Sequence, residues 1–243
     1  MTVKAPDDLA WLIRKLGTVD HVSSEERQAI ENLAFTRKRF NGGHDIVCER
    51  DRPSHCCLIV EGWACRYKLL SEGKRQIMSF HVPGDIPDLQ SLHLTTMDHN
   101  LATVTPCTVA FISHEGVHDL TRRFPRIADA LWRDTLVDAA IFREWMTGIG
   151  RRSAYGRIAH LFCEIYVKLN ALGLAENYRC EWPITQIDIA DALGLSNVHV
   201  NRVLQDLRGA KLISLRDRTL VIENWDALTE AAEFDMLYLH LKT

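Results

Sequence analysis

The residues whose types and spacing suit chemistry lie between Thr185 and Arg208, and that chemistry is recognition by hydrogen bonds and charge. The stretch reads T-Q-I-D-I-A-D-A-L-G-L-S-N-V-H-V-N-R-V-L-Q-D-L-R. At helical spacing Val200, Val203, Leu204 and Leu207 share one side. The other side then shows Asn197, His199, Asn201, Arg202, Gln205 and Arg208 to solvent. Amide and guanidinium heads of this kind suit base edges and phosphates in a major groove. Thr185, Gln186 and Ser196, at the starts of the two segments, join the same candidate surface.

Such a face works only if it is held at a fixed angle. Ile187, Ile189, Ala190 and Leu193 line one side of a short first helix. Ala190 is small enough for a second helix to cross it, and Gly194 supplies the left-handed turn four residues later. Ser196 caps the second helix and Val200 packs back. This is helix-turn-helix spacing, with an ordinary helical hairpin as the plainer alternative. Beyond it, Leu212–Leu215 and Leu220–Ile222 flank Arg216-Asp217-Arg218, which reads as a β-hairpin wing. Arg216 and Arg218 would touch phosphates.

With 243 residues the chain has room for two cored domains, and its net charge of -3 excludes a general nucleic-acid coat. A local basic face remains: Arg202, Arg208, Lys211, Arg216 and Arg218 against Asp206 and Asp217. No apolar run reaches membrane-spanning length, and the first residues, M-T-V-K-A-P-D-D, are not a signal peptide. A cytoplasmic location is expected, with the seven cysteines as reduced thiols.

Ahead of the recognition segment three regions follow in order. Residues 7–35 read as two helices, the first capped by Asp7 or Asp8 and the second starting at Ser23-Ser24-Glu25-Glu26. Residues 36–112 alternate short apolar runs (56–60, 63–70, 76–81 and 104–112) with Gly, Pro, Asp and Asn turns, as in a small antiparallel barrel or jelly roll. Ser113 caps a short helical turn, and Pro125 then opens a long helix to about Ile149. On it Ala128, Trp132, Thr135, Ala139, Phe142, Met146 and Ile149 form a heptad seam. Ile127, Leu131, Leu136, Val137 and Ile141 form a second apolar flank. One flank packs on the chain itself and the other on a partner's identical helix; a monomeric core helix is the alternative. Gly148–Arg152 reads as a hinge, and residues 153–169 as a further helix. The fold class is therefore α+β. It has an N-terminal sensor domain (1–124), a dimerisation helix (125–149) and a C-terminal winged helix-turn-helix domain (150–243).

The order of these parts resembles the Crp/Fnr family of bacterial transcription regulators. The likeness is carried by T-Q-I-D-I-A-D-A-L-G-L-S-N-V-H-V-N-R, by G-R-I-A-H-L-F at 156–162, and by E-G-W at 61–63 and P-G-D-I at 83–86. It implies a cyclic-nucleotide-binding-like barrel, a homodimer on inverted-repeat DNA, and action on RNA polymerase in response to a signal. It implies no enzyme activity. The alternative is a small-molecule sensor barrel whose helical domain makes protein contacts, for which arginines in the wing have no use.

Three departures narrow what the resemblance implies. Cyclic-nucleotide-binding members carry a Gly-Glu pair and a later Arg-Ser/Thr-Ala triplet whose arginine pairs with the phosphate. Here the pair is Gly84-Asp85 and the later region, with His99 and Asn100, has no arginine; none lies between Arg75 and Arg122, and these four residues mark the candidate effector pocket. The oxygen sensors hold an iron–sulfur cluster through N-terminal cysteines, and no cysteine precedes Cys48 here, so no cofactor is expected. A glutamate common on the recognition helix is replaced by Val198, which packs on a thymine methyl instead of accepting from cytosine, while the following arginine is kept as Arg202.

The other cysteines and histidines read mostly as core and surface. Adjacent Cys56 and Cys57 point to opposite faces of a strand and cannot readily chelate one metal together. Core filling is favoured over a thiol sensor or a metal site drawing on His44, Cys48 and His55. His114 and His118, four apart, read as solvated, and Cys180 as a weak candidate for oxidation. Because burying an unpaired phosphate is costly, calorimetry with cyclic AMP is expected to show no micromolar binding. A micromolar dissociation constant would overturn this.

Overall fold

The structure is a computed structural model in which residues 8–242 are described. It divides into two compact units, one of residues 8–68 and 78–136, the other of residues 69–77 and 137–241.

The first unit opens with α1 (Ala10–Gly17) and α2 (Ser24–Glu31). Ser23 and Glu26 form the reciprocal capping box expected of their spacing. The first helix departs from expectation: Leu9 is its N-cap, with no side-chain bond. Asp8 is buried and lies 3.5 Å from Arg37 instead. Asp7 lies outside the described residues.

Seven strands follow: β1 (Phe35–Phe40), β2 (Asp45–Val47), β3 (His55–Glu61), β4 (Ala64–Leu69), β5 (Arg75–His81), β6 (Asn100–Thr103) and β7 (Cys107–Ser113). They form two antiparallel sheets, ordered β1-β7-β3 and β2-β6-β4-β5. The hydrogen bonding thus makes two sheets, not one closed ring. Gly62 turns the chain between β3 and β4 at φ 84°, where a Cβ would lie 2.2 Å from the Pro106 carbonyl oxygen, so only glycine fits. Cys56 and Leu58 face a core shared with α1, whereas Cys57 and Ile59 face a second core with Val47, Leu101 and Val109. The two cysteines therefore do part to opposite sides. Helix α3 (His114–Arg123) is capped by Ser113, whose hydroxyl accepts from Gly116 N–H at 3.1 Å.

Helix α4 (Pro125–Arg151) is 27 residues long and continues through Gly148 and Gly150. The helical run is interrupted only at Arg152–Ser153, just past the glycines expected to form a hinge. Ser153 then caps α5 (Ala154–Ala171).

The second unit packs α5 against α6 (Gln186–Leu193), α7 (Asn197–Gly209) and α8 (Trp225–Ala232). A four-stranded sheet of order β10-β11-β9-β8 completes it, from β8 (Ala175–Glu176), β9 (Arg179–Glu181), β10 (Ile213–Arg216) and β11 (Thr219–Ile222). A buried polar network ties its ends together. Glu164, 2% exposed, accepts from Trp145 Nε1 at 3.1 Å and from Tyr238 Oη at 2.7 Å. Beside it His160 stacks on Tyr238 and meets Phe234 edge-on, while Arg152 donates to Glu144 at 2.5 Å.

His160 makes this network sensitive to acid. Burial foremost, and then the Arg152 charge, hold its pKa down at about 4 from 6.5, with Glu144 opposing. The unfolded chain therefore takes up the proton first as pH falls, so stability is complete above about 6.5 and is lost towards about 4. His160→Phe removes this dependence while keeping a ring against Tyr238. Urea midpoints are expected to show the wild type losing up to about 3 kcal/mol more than the variant between neutral and mildly acid pH. Parallel pH profiles would show that His160 does not titrate on unfolding.

Candidate nucleic-acid interface

Local chemistry sets the helix-turn-helix. Thr185 N–H and hydroxyl both donate to Asp188 Oδ2, at 3.0 and 2.7 Å, and the Thr185 hydroxyl accepts from Asp188 N–H. Gly194 ends α6 at φ 63°, in the left-handed region. Ser196 caps α7, its hydroxyl accepting from His199 N–H at 3.3 Å. Arg157 of α5 donates to the Leu193 carbonyl at 3.1 Å, covering one of the open carbonyls at the end of α6.

Val200, Val203, Leu204 and Leu207 are buried as their spacing requires, and so are Ile189, Ala190 and Leu193. Ile187 is not: it is 57% exposed, and Ala192 takes the inward position. One turn of a short helix has room for few inward residues, and Asp188 holds another of them through its capping bonds.

The outward face of α7 carries Asn197, Arg202, Gln205 and Arg208 in solvent, with His199 and Asn201 half-buried. Asn201 is ordered from both sides, donating to Gln186 Oε1 at 3.2 Å and accepting from Gln205 Nε2 at 3.1 Å. Val198 is 81% exposed, a methyl-bearing contact left in water. Arg208 Nε donates to the Leu204 carbonyl. Arg202, Arg216 and Arg218 are exposed and make no ion pair with any described residue. The last two flank the wing turn between β10 and β11, where Asp217 and Arg218 both take positive φ, 48° and 56°. A two-residue hairpin of this kind follows the right-handed twist of its strands.

On α4 the two flanks differ. Ile127, Leu131, Ile141 and Trp145 are buried by the chain itself. Trp132, Met146 and Ile149 are 64, 70 and 40% exposed, with Ala128, Thr135, Ala139 and Phe142 half-buried beside them. Leu136, expected on the inward flank, is 52% exposed and belongs with the open side.

The four residues considered for an effector are all engaged, Gly84 through its N–H, which donates to the Ile59 carbonyl at 2.8 Å. Lys15 binds Asp85 at 2.6 Å and approaches Asp134 of α4 at 3.4 Å. Those two carboxylates raise the Lys15 pKa against the opposing effect of burial. Gly84, at φ 98°, lies against the Trp11 carbonyl, where a Cβ would come within 2.8 Å. His99 Nδ1 sits 2.6 Å from Asp98, and Asn100 accepts from Glu49 N–H. A buried cation that sequence reading missed is Arg66, whose Nε donates to the Pro87 carbonyl at 2.7 Å.

Among the described residues no group of three or more His, Cys, Asp or Glu side chains is placed to hold a metal. His114 bonds Ser91 at 2.9 Å. Burial pushes the thiols of Cys56, Cys163 and Cys180 up to about 12, so none is an activated nucleophile. Cys48 is the exposed one.

Known proteins share both halves of this arrangement. Residues 37–124 match the cyclic nucleotide-binding domain, and residues 156–231 match the Crp-like helix-turn-helix domain. The nitrogen fixation regulation protein FixK of Bradyrhizobium diazoefficiens is 30% identical over 203 residues, spanning 80% of this chain and 81% of its own. The chain belongs to the Crp/Fnr family. This is a family of transcription regulators, not of enzymes. The transcriptional activator protein FnrL of Cereibacter sphaeroides is 24% identical over 227 residues, or 92% of this Crp/Fnr chain and 90% of FnrL. The structure of FixK2 from Bradyrhizobium japonicum superposes with a TM-score of 0.74 at 25% identity, covering 82% of this regulator and 98% of FixK2. No described helix is long and apolar enough to cross a membrane.

The exposed guanidiniums allow two kinds of DNA contact to be told apart by experiment. Arg202→Ala is expected to cost about 1–3 kcal/mol on a preferred duplex and to relax choice at one base pair. Replacing both Arg216 and Arg218 by alanine is expected to weaken preferred and random duplexes alike, and to make the salt dependence shallower by up to about two phosphates. Titrations on both duplexes at several salt concentrations check this. An unchanged slope would remove the wing from the interface.

Proposed function

We propose that the protein is a homodimeric, sequence-specific regulator that binds an inverted repeat, placing α7 of each protomer in successive major grooves about 34 Å apart. The observation that carries this is the set of exposed arginines without ion pairs, Arg202, Arg216 and Arg218, beside the ordered amides of Gln186, Asn201 and Gln205. A surface made only for protein contacts has no need of three free guanidiniums around one helix. The open flank of α4 supports pairing through Trp132, Met146 and Ile149. The name of FnrL, a transcriptional activator, supports an action on RNA polymerase. On this reading the protein acts in the cytoplasm, where its DNA target lies. The partners already held by Asp85, His99 and Asn100 support a signal other than cyclic AMP.

The test is a selection of duplexes from a random pool, read together with oligomeric state. Wild type is expected to enrich an inverted repeat and to sediment as a dimer at micromolar concentration. Met146→Asp puts a charge on a side chain that the protomer leaves 70% exposed. It therefore spares the fold but buries an unpaired carboxylate in any α4 pair, at a cost of several kcal/mol. The variant is expected to sediment as a monomer and to lose the inverted repeat. A wild-type monomer, or enrichment of a single half-site, would overturn the dimeric reading.

A further inference from the structure

The second compact unit contains a segment that neither the helix-turn-helix nor the wing accounts for. Residues 69–77, the connection between β4 and β5 with the first residues of β5, belong to it. From this segment the Arg75 guanidinium reaches two carboxylates of α6. Nη2 donates to Asp188 Oδ1 at 2.6 Å and Nε to Asp191 Oδ2 at 2.7 Å. Next to it Gln76 Nε2 donates to the Ala192 carbonyl at 3.0 Å.

The placement of these bonds on α6 is specific. Asp188 is the capping-box residue, and its Oδ2 is already occupied by Thr185. Arg75 takes the other oxygen, so the cap and the clamp share one carboxylate. Asp191 lies three residues on, hence on the same helix face. Ala192 belongs to the last turn, where backbone carbonyls have no partner within the helix. One arginine and one glutamine thus grip an eight-residue helix at its start, its middle and its end. A planar guanidinium spans two carboxylates in a way that a lysine ammonium cannot.

We infer that Arg75 is a positioning residue for DNA recognition: it fixes the orientation of α6, and through Gln186 and Asn201 that of the reading face of α7. The inference rests on the proposal that α7 reads DNA. Arg75 also neutralises Asp188 and Asp191, two carboxylates that would otherwise repel the phosphate backbone. The two effects leave different signatures. Lost neutralisation weakens binding to all duplexes equally, whereas a loosened α6 weakens the preferred duplex more.

The experiment compares wild type, Arg75→Ala, Arg75→Lys and the exchanged pair Arg75→Asp with Asp191→Arg in the full chain. The probes are the duplex that wild type enriches from a random pool and a scrambled duplex. Losing two charge-assisted hydrogen bonds to α6 is expected to cost Arg75→Ala about tenfold on the enriched duplex and under about threefold on the scrambled one. Arg75→Lys is expected to fall between, and the exchanged pair to recover part of the loss. Amide hydrogen exchange without DNA is expected to speed up in residues 186–193 of Arg75→Ala while α5 stays protected. Unchanged exchange in α6 with wild-type affinity overturns the role of Arg75 alone. An equal loss on both duplexes with unchanged exchange reduces Arg75 to charge neutralisation and overturns positioning. A wild type that enriches no duplex overturns the reading of α7 as a DNA-recognition helix, and this inference with it.

Discussion

Helix α4 carries more apolar surface than its own chain covers, and much else in the protein follows from that excess. Ile127, Leu131, Ile141 and Trp145 are withdrawn from water within the protomer, yet Trp132, Leu136, Met146 and Ile149 remain in it. Burying one such side chain fully contributes roughly 1.5–3 kcal/mol, so the open flank is a standing drive towards association. An isologous pair sets the same residues of two copies against each other, and two-fold symmetry then dictates a two-fold arrangement of recognition helices. On the proposed reading, an inverted repeat would follow from helix packing before base reading.

The second unit shows how polar groups can hold a small domain together without loosening its core. Glu164 is fully enclosed, yet its oxygens meet an indole N–H and a phenol O–H. Burial raises its pKa, with Lys168 and the two donors working against the rise. Satisfied in this way, a buried carboxylate fixes one arrangement of neighbours, because any shift would orphan it. Trp145 comes from α4 and Tyr238 from the turn of 3₁₀ helix at Met236–Leu239, so the network binds both ends of this unit to α5.

What could be read in advance was what local chemistry determines. Gly194 and Ser196 act within four residues of their own positions and perform as their types suggest, whereas Thr185, read as part of the DNA-facing surface, proves to be the cap of α6. Helix α4 itself was legible because it repeats its period many times. Strand β1 was not: in F-T-R-K-R-F four consecutive side chains are exposed, as befits a sheet edge, so no alternation betrays it. Strands β8 and β9 are too short to carry a pattern. Ile187 looked inward because apolar type was taken for position, whereas a capping carboxylate claimed the inward place. The contacts of Arg75 with Asp188, and of Tyr238 with Glu164, join residues 113 and 74 positions apart, a separation over which sequence pattern has no reach.

The thiols carry a consequence of their own. Cys56, Cys57, Cys65, Cys107, Cys163 and Cys180 lie under 5% exposed, while Cys48 stands in solvent beside β2. Each chain therefore offers an external oxidant one thiol. Disulfide cross-linking of native molecules has a valency of one per chain: it joins chains in twos through residue 48, and together with non-covalent pairing it gives at most an unbranched string in which disulfide and non-covalent links alternate. A branched oxidised aggregate of this protein would be a sign that the sheets or α5 had first come apart.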